Sequence, residues 1–279
     1  KETLISLKQK FGFYTFQKSK KEIVWVNAVS IGESLSVISV IKEINKDKKF
    51  KILLTTSTTT SAEIIKKRYP DLLIHQFAPI DIPFIVKKFL NYWNPKIAIF
   101  SESELWPNLL SFTKEKKIKL ILLNGRMSAR TFKNWSRFPN ISRTLLEKFN
   151  IGFVQDHNSY LRYQNLGLKN IKCIGNLKFL SEKLPVSKLD FYELKKNIEN
   201  KLVICLCSSH KKEEEIVLES FTKLLKQVPN LFLIIIPRHI HRRDEIKKII
   251  EKKKINFSMR SENKSFKSCE CMLADTFGV

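Results

Sequence analysis

Short apolar runs alternate along this chain with stretches whose apolar positions recur every three or four residues. The runs Ile23–Val29, Lys51–Thr56, Leu72–Phe77, Lys96–Phe100, Lys119–Leu123, Ile151–Val154 and Ile171–Ile174 read as strands. Between them, Ser61–Tyr69, Leu105–Lys116 and Thr144–Phe149 have helical spacing. That order predicts a parallel sheet with helices on its faces. The pattern lapses over the polar, Pro185-containing stretch Leu180–Asp190, and a helix near Phe191–Ile198 opens a second series. In it, strands are expected at Leu202–Cys207, Leu231–Ile236, Asn256–Met259 and Cys271–Ala274, and helices at Lys211–Gln227 and Arg243–Lys253. The expectation is an α/β chain of two Rossmann-like domains, 1–182 and 183–279. The second holds about half the strands of a doubly wound domain, as if the chain were cut short.

Composition places the chain among globular proteins, with 43% hydrophobic and 28% charged residues. Charge is the outlier: 51 Lys and Arg face 27 Asp and Glu, a formal balance of +24. Such a balance draws polyanions, whether nucleic acid, anionic membrane or phosphorylated substrate. Lysine, isoleucine, asparagine and phenylalanine are all abundant, which an A/T-rich coding sequence would produce with no function behind it. No RNP-like aromatic motif or zinc finger supports a nucleic-acid module. Neither G-x-G-x-x-G nor G-x-x-x-x-G-K-[ST] occurs, which argues against dinucleotide enzymes and P-loop NTPases. No apolar run of 18 residues is present to span a bilayer.

The five cysteines include two Cys-x-Cys pairs, Cys205/Cys207 and Cys269/Cys271. Zinc knuckles use wider spacing. In an apolar run, i and i+2 thiols share one strand face, so buried strand cysteines are expected and no metal site. His239-x-His241 reads as a loop pair near Arg238.

In open α/β sheets, ligands bind beyond the carboxyl ends of the strands. Reading only those ends gives Ser30-Ile-Gly-Glu-Ser34, Ser101-Glu-Ser-Glu-Leu-Trp-Pro-Asn108, Asn124-Gly-Arg-Met-Ser-Ala-Arg130, Asn176-Leu-Lys-Phe179, Ser208-Ser-His210, Pro237-Arg-His239 and Asp275-Thr-Phe-Gly278. Glu33 follows a glycine turn at a helix start. It suits either a carboxylate complementing the helix dipole or a general base at a cleft wall. The dipole opposes base strength, so burial or a neighbouring carboxylate, Glu102 or Glu104, must offset it. Those two precede Trp106-Pro107, which itself resembles a helix entrance. Lys178 can balance developing negative charge, and Arg238 can clamp a phosphate.

Together these segments, with Trp25-Val-Asn-Ala-Val-Ser-Ile-Gly-Glu-Ser34 at their head, resemble in order and spacing the motif series of the 3-deoxy-D-manno-octulosonic acid (Kdo) transferases. The resemblance runs from about Phe11 to the last residue. It implies a GT-B glycosyltransferase in which 1–182 binds the acceptor and 183–279 is a partial CMP-sugar domain, the two sheets facing a cleft. The implied donor is CMP-Kdo and the acceptor a lipid A precursor, lipid IVA, in lipopolysaccharide core biosynthesis. Glu33 is then the base that deprotonates the acceptor hydroxyl, and Glu102 and Lys178 stabilise the transition state. Pro237 and Arg238 match one CMP-binding segment, and Phe277, Gly278 and Val279 fall on the next. No metal or other cofactor is implied. The expected location is peripheral, on the anionic cytoplasmic face of the bacterial inner membrane, with no nucleic acid as partner.

Three departures accompany the resemblance. Val279 stands where the family has an acidic residue, before a Gly/His-rich segment that the sequence lacks. The family's hydrophobic N-terminal stretch is also absent, and Asn27 replaces a usual histidine. The expectation is therefore a chain truncated at both ends and inactive without the missing segment. The competing readings are another GT-B sugar-nucleotide enzyme, an epimerase or a UDP-sugar transferase, and an inactive remnant.

Overall fold

Strands that are apolar on both sides are satisfied only inside a sheet covered on both faces, and the first 182 residues build one. The structure, a computed structural model, describes residues 3–14, 20–103, 105–180, 187–262 and 266–276. The chain divides into two compact units, Lys1–Glu182 and Lys183–Val279.

Unit 1 opens with α1 (Leu4–Lys10) and β1 (Glu22–Asn27), followed by α2 (Ile31–Lys46), β2 (Phe50–Thr56), α3 (Thr59–Arg68) and β3 (Ile74–Phe77). Next come α4 (Pro83–Trp93), β4 (Ile97–Ser101), α5 (Pro107–Glu115), β5 (Lys119–Gly125), α6 (Ala129–Ser136) and α7 (Pro139–Leu146). It closes with β6 (Ile151–Val154), α8 (His157–Asn165), β7 (Ile171–Cys173) and a 3-10 turn at Leu177–Leu180. The seven strands are parallel in the order β3-β2-β1-β4-β5-β6-β7. Strand order reverses between β1 and β4, where such sheets open a binding crevice.

Alternate residues of each strand feed two cores. Trp25, Leu53, Phe100 and Leu122 pack with Phe89, Leu109, Leu145 and Tyr163 from α4, α5, α7 and α8. Val24, Val26, Ile52 and Ile99 meet Val37, Ile38, Ile41 and Ile65 from α2 and α3 on the other face. Each such side chain contributes roughly 1.5–3 kcal/mol when fully buried.

Every expected strand is present within one or two residues, but the helix expected at Thr144–Phe149 is instead α7, which begins at Pro139. Proline at the first position presets the helical φ and moves the start back by more than a turn. The apolar spacing predicted neither α1, α4, α6 nor α8. α4 and α7 start on proline without a side-chain cap, whereas α8 is capped by Asp156, which accepts from Ser159 N at 2.7 Å.

Unit 2 contains α9 (Lys188–Asn197), β8 (Leu202–Ser209), α10 (Glu213–Leu225), β9 (Leu231–Pro237), α11 (Arg243–Lys252), β10 (Phe257–Met259) and β11 (Cys271–Leu273). Its parallel sheet has the order β10-β11-β9-β8. Glu214, fully buried at the start of α10, accepts from Ser209 Oγ at 2.7 Å and from both Arg242 terminal nitrogens at 2.8 and 3.1 Å. Burial alone would raise its pKa, but these donors outweigh it and hold the carboxyl below its usual range.

Cysteine burial is where the expectation fails. Cys205 and Cys207 share a face, with their sulfurs 3.3 Å apart, yet both are exposed, as is Cys173; only Cys271 is buried. The reason is topological: among the described residues β8 is an edge strand, and Leu202, Val203 and Ile204 beside the thiols are also exposed.

His75 supplies a pH-dependent element of unit 1. It is buried on β3, its Nε2 is 2.9 Å from Thr56 Oγ1, and burial, aided by the Lys66 charge, lowers its pKa to about 4. The unfolded chain therefore takes up a proton near pH 6.5 that the folded protein refuses until about pH 4, so stability falls as pH drops through that window. Between pH 7.5 and pH 5 the loss from this group is about 2 kcal/mol. Urea midpoints at the two pH values should show the acid loss shrinking by that amount in His75→Gln; an unaltered pH slope in the variant contradicts the assignment.

Candidate active site at the switch point

The crossover from β1 into α2 builds the first half of the site. Ser30 is the N-cap, its Oγ accepting from Glu33 N at 3.3 Å. The Glu33 carboxylate turns back to accept from Val29 N at 3.1 Å and from Ser30 Oγ at 2.8 Å, and the residue is only 8% exposed. The carboxylate thus closes the first turn of α2, at the helix start where a dipole-complementing residue was expected. The same bonds fix the carboxylate in one orientation at the end of β1.

Glu102 and Lys178 complete the cluster from two other strand ends. Glu102 follows β4 in the left-handed region, φ 55°, and its carbonyl accepts from Tyr163 OH at 3.1 Å. Lys178 sits on the 3-10 turn after β7, with Nζ 3.1 Å from Glu102 Oε1, a charge contact outside hydrogen-bond geometry. The turn is fastened by Asn124, left-handed at φ 56°, whose Oδ1 accepts from Leu177 N at 3.0 Å. A Cβ on Gly32 would lie 3.9 Å from Lys178 Nζ, so the ammonium stands over the first turn of α2 that carries Glu33. Glu33, Glu102 and Lys178, far apart in sequence, therefore meet in unit 1. Glu104 lies outside the described residues.

Beside this cluster is a cavity of about 200 Å³ lined by Lys10, Asn27, Val29, Ile80, Asp81 and Trp106, among others. Asn27 is 1% exposed; its Oδ1 accepts from Thr55 Oγ1 at 2.8 Å, while its Nδ2 has no partner. Ser101 Oγ and Asn124 Nδ2 are likewise buried and unpaired. Three unsatisfied polar atoms at the carboxyl ends of adjacent strands β1, β4 and β5 carry a desolvation cost, and of the three residues Asn27 lines the cavity.

Asp81 shapes the same wall by accepting from Asn108 N at 3.1 Å and Leu109 N at 2.7 Å, capping α5 from a distant loop. Sequence reading singled out neither Asp81 nor Thr55. Asn27 was marked only as a departure, and the signal available for it was its place at a strand end.

In unit 2, Pro237 closes β9, and exposed Arg238 follows with its N–H donating to Ser209 O at 3.0 Å. The His239 and His241 rings stack at 5.4 Å. Among the described residues, no group of three or more His, Cys, Asp or Glu is placed to hold a metal. Phe277, Gly278 and Val279 lie outside the described residues.

Comparison with known proteins matches residues 6–181 to the family model of 3-deoxy-D-manno-octulosonic-acid transferase (kdotransferase). The Rickettsia bellii (strain RML369-C) 3-deoxy-D-manno-octulosonic acid transferase is 34% identical over 252 residues, which is 90% of this chain and 59% of that protein. The Haemophilus influenzae enzyme of the same name is 29% identical over 280 residues, 98% of this chain and 65% of that protein. The chain thus spans about three-fifths of the length of these relatives. Among solved structures, a glycosyltransferase from Rickettsia africae ESF-5 superposes with a TM-score of 0.59 at 12% identity, covering 92% of this chain and 68% of that one. This likeness supports the GT-B type of α/β fold and nothing finer. With more than half its length matched by the family model, the chain belongs to the 3-deoxy-D-manno-octulosonic-acid transferase family.

Proposed function

We propose that the protein transfers Kdo from CMP-Kdo to a lipid A precursor, with Glu33 as general base. What supports this is the position of Lys178 against both Glu102 and the first turn of α2 that carries Glu33, beside a cavity at the switch point of unit 1. The acceptor hydroxyl gives its proton to the Glu33 carboxylate as its oxygen attacks the anomeric carbon of Kdo, and the bond from that carbon to the CMP phosphate oxygen breaks. Lys178 supplies positive charge to the negative charge that develops, and Glu102 holds the ammonium in place at 3.1 Å. Arg238 with Pro237 in unit 2, and Phe277, Gly278 and Val279 beyond the described residues, are the proposed CMP contacts. The division into an acceptor unit, 1–182, and a donor unit, 183–279, belongs to the same proposal.

The proposed setting is the cytoplasmic face of the inner membrane, held peripherally. No helix among the described residues is long and apolar enough to cross a membrane. Unit 1 instead exposes Leu4, Ile5, Phe11, Phe13, Ile82 and Phe84. Phe11 and Ile82 adjoin in sequence the cavity-lining Lys10 and Asp81, Ile80 N donates to Lys10 O at 3.1 Å, and Lys88 lies 4.2 Å from the Phe13 ring centre. Apolar side chains interleaved with lysines suit an anionic lipid interface, and a lipid-linked acceptor would reach the cavity from there.

Two measurements test this function. In a transfer assay with CMP-Kdo and lipid IVA, Glu33→Gln should lower kcat by about 10²–10⁴, and full turnover in that variant would exclude the base role. Sedimentation with phosphatidylglycerol vesicles should show several-fold weaker binding for the Phe13→Ser, Phe84→Ser double variant; equal binding would remove this patch from the lipid contact.

A further inference from the structure

About half of the Lys and Arg residues of unit 1 lie at the end of the sheet remote from the candidate site. Parallel strands place all seven amino ends on one rim. The connections entering them span residues 20–22, 46–51, 66–71, 94–96, 114–119, 147–150 and 166–171, and they carry sixteen Lys or Arg against five Asp or Glu. At the opposite end, the described residues of the strand-to-helix connections carry Arg126, Arg130 and Lys178 against Glu33, Asp81, Glu102 and Asp156.

Helix dipoles do not absorb this excess. Six helices end at the basic rim, α2, α3, α4, α5, α7 and α8. At about half an elementary charge each they supply on the order of three negative charges, against a surplus of eleven positive ones. Neighbouring strands are about 4.8 Å apart, less than the Debye length of about 8 Å at physiological salt. Lysines on adjacent strand ends therefore repel one another with little screening, and a bound anion would relieve that repulsion.

The rim also has a concave seat. A cavity of about 410 Å³ opens at the feet of β1 and β4, lined by Lys20, Lys21, Lys96, Glu22, Tyr92 and Asn94, among others. Lys96 Nζ is 3.3 Å from Glu22 Oε1, and the two side chains are 65% and 39% exposed. Lys20, Lys21 and Lys96 line one pocket together with Glu22, a lysine-rich lining that matches the chemistry of a multivalent phosphate. Lysine, a compact point charge, binds such groups without demanding a fixed planar geometry.

We propose that this pocket is a binding site for a soluble polyphosphorylated anion, separate from the transferase site at the other end of the sheet. Lys20, Lys21 and Lys96 hold its phosphates, and Glu22 competes with the ligand for Lys96. Neither the apolar patch nor the Glu33 cluster takes part.

Inorganic tripolyphosphate is the probe, and titration calorimetry at fixed ionic strength the measurement. The wild-type chain should bind saturably, and the triple variant Lys20→Ala, Lys21→Ala, Lys96→Ala should bind at least tenfold more weakly with unchanged thermal unfolding. Glu22→Gln should bind several-fold more tightly, an opposite-sign effect that a general loss of folding cannot mimic. Lys178→Ala should bind like the wild type. The proposal is overturned if the triple variant binds as well as wild type, if Lys178→Ala accounts for the loss, or if Glu22→Gln weakens binding. It is also overturned if the triple variant loses affinity for phosphatidylglycerol vesicles while tripolyphosphate neither binds nor competes, since the rim's partner would then be a bilayer.

Discussion

Pairing of β1 with β4 is the constraint on which the rest of unit 1 depends. Every other strand is added outward from this pair, β2 and β3 on one side and β5 to β7 on the other, so the chain direction of the crossovers reverses here and nowhere else. Helices leaving β1 and β4 must part to opposite faces, and the gap they leave exposes the ends of both strands. Asn27, Ser101 and Glu102 stand in that gap because of sheet order, not because of any local preference. Glu33 enters it only because Ser30 caps α2 so close to the end of β1. The left-handed backbone at Glu102 and Asn124 is a further consequence, since both chains must turn sharply to leave the sheet within hydrogen-bond reach of the next element.

Much of this was legible in the residue pattern because parallel strands announce themselves as unbroken apolar runs. The seven runs of unit 1 fall on seven strands, and Glu33 and Lys178 were picked out by reading strand ends alone. What the pattern could not show was proximity. Lys178 is 76 positions from Glu102, and only the turn that Asn124 fastens to β5 brings the pair within 3.1 Å. Asp81 escaped notice for the same reason: it caps α5 across 27 residues of sequence, and no spacing rule encodes that. The cysteines of β8 failed differently. An apolar run such as Leu202–Cys207 reads the same in the middle of a sheet as at its edge, and strand order alone separates the two.

Part of the large positive balance acquires a location once the fold is known. An A/T-rich coding bias would scatter lysine over the whole surface, whereas in unit 1 the surplus gathers where strands begin and helices end. Some of it complements helix carboxyl ends, and the amount beyond that requirement is what sets the rim apart. The end that holds Glu33, Glu102 and Lys178 carries mixed charge and exposed aromatics, the surface proposed above for a lipid-linked acceptor. The two ends of one sheet thus offer chemically different faces.

The exposed edge of unit 2 governs how the protein behaves in the test tube. β8 presents eight residues without a proline or a charged side chain, and the one device it has against pairing with a neighbour is the irregularity between Cys207 and Ser209. Its two outward thiols lie close enough for intermolecular disulfide exchange once two molecules align. Among the described residues, then, β8 brings an unpaired strand edge and two exposed thiols onto one surface, where a reductant would slow oxidation. Mutual repulsion between basic surfaces holds molecules apart at long range, but at contact the bare strand decides the outcome.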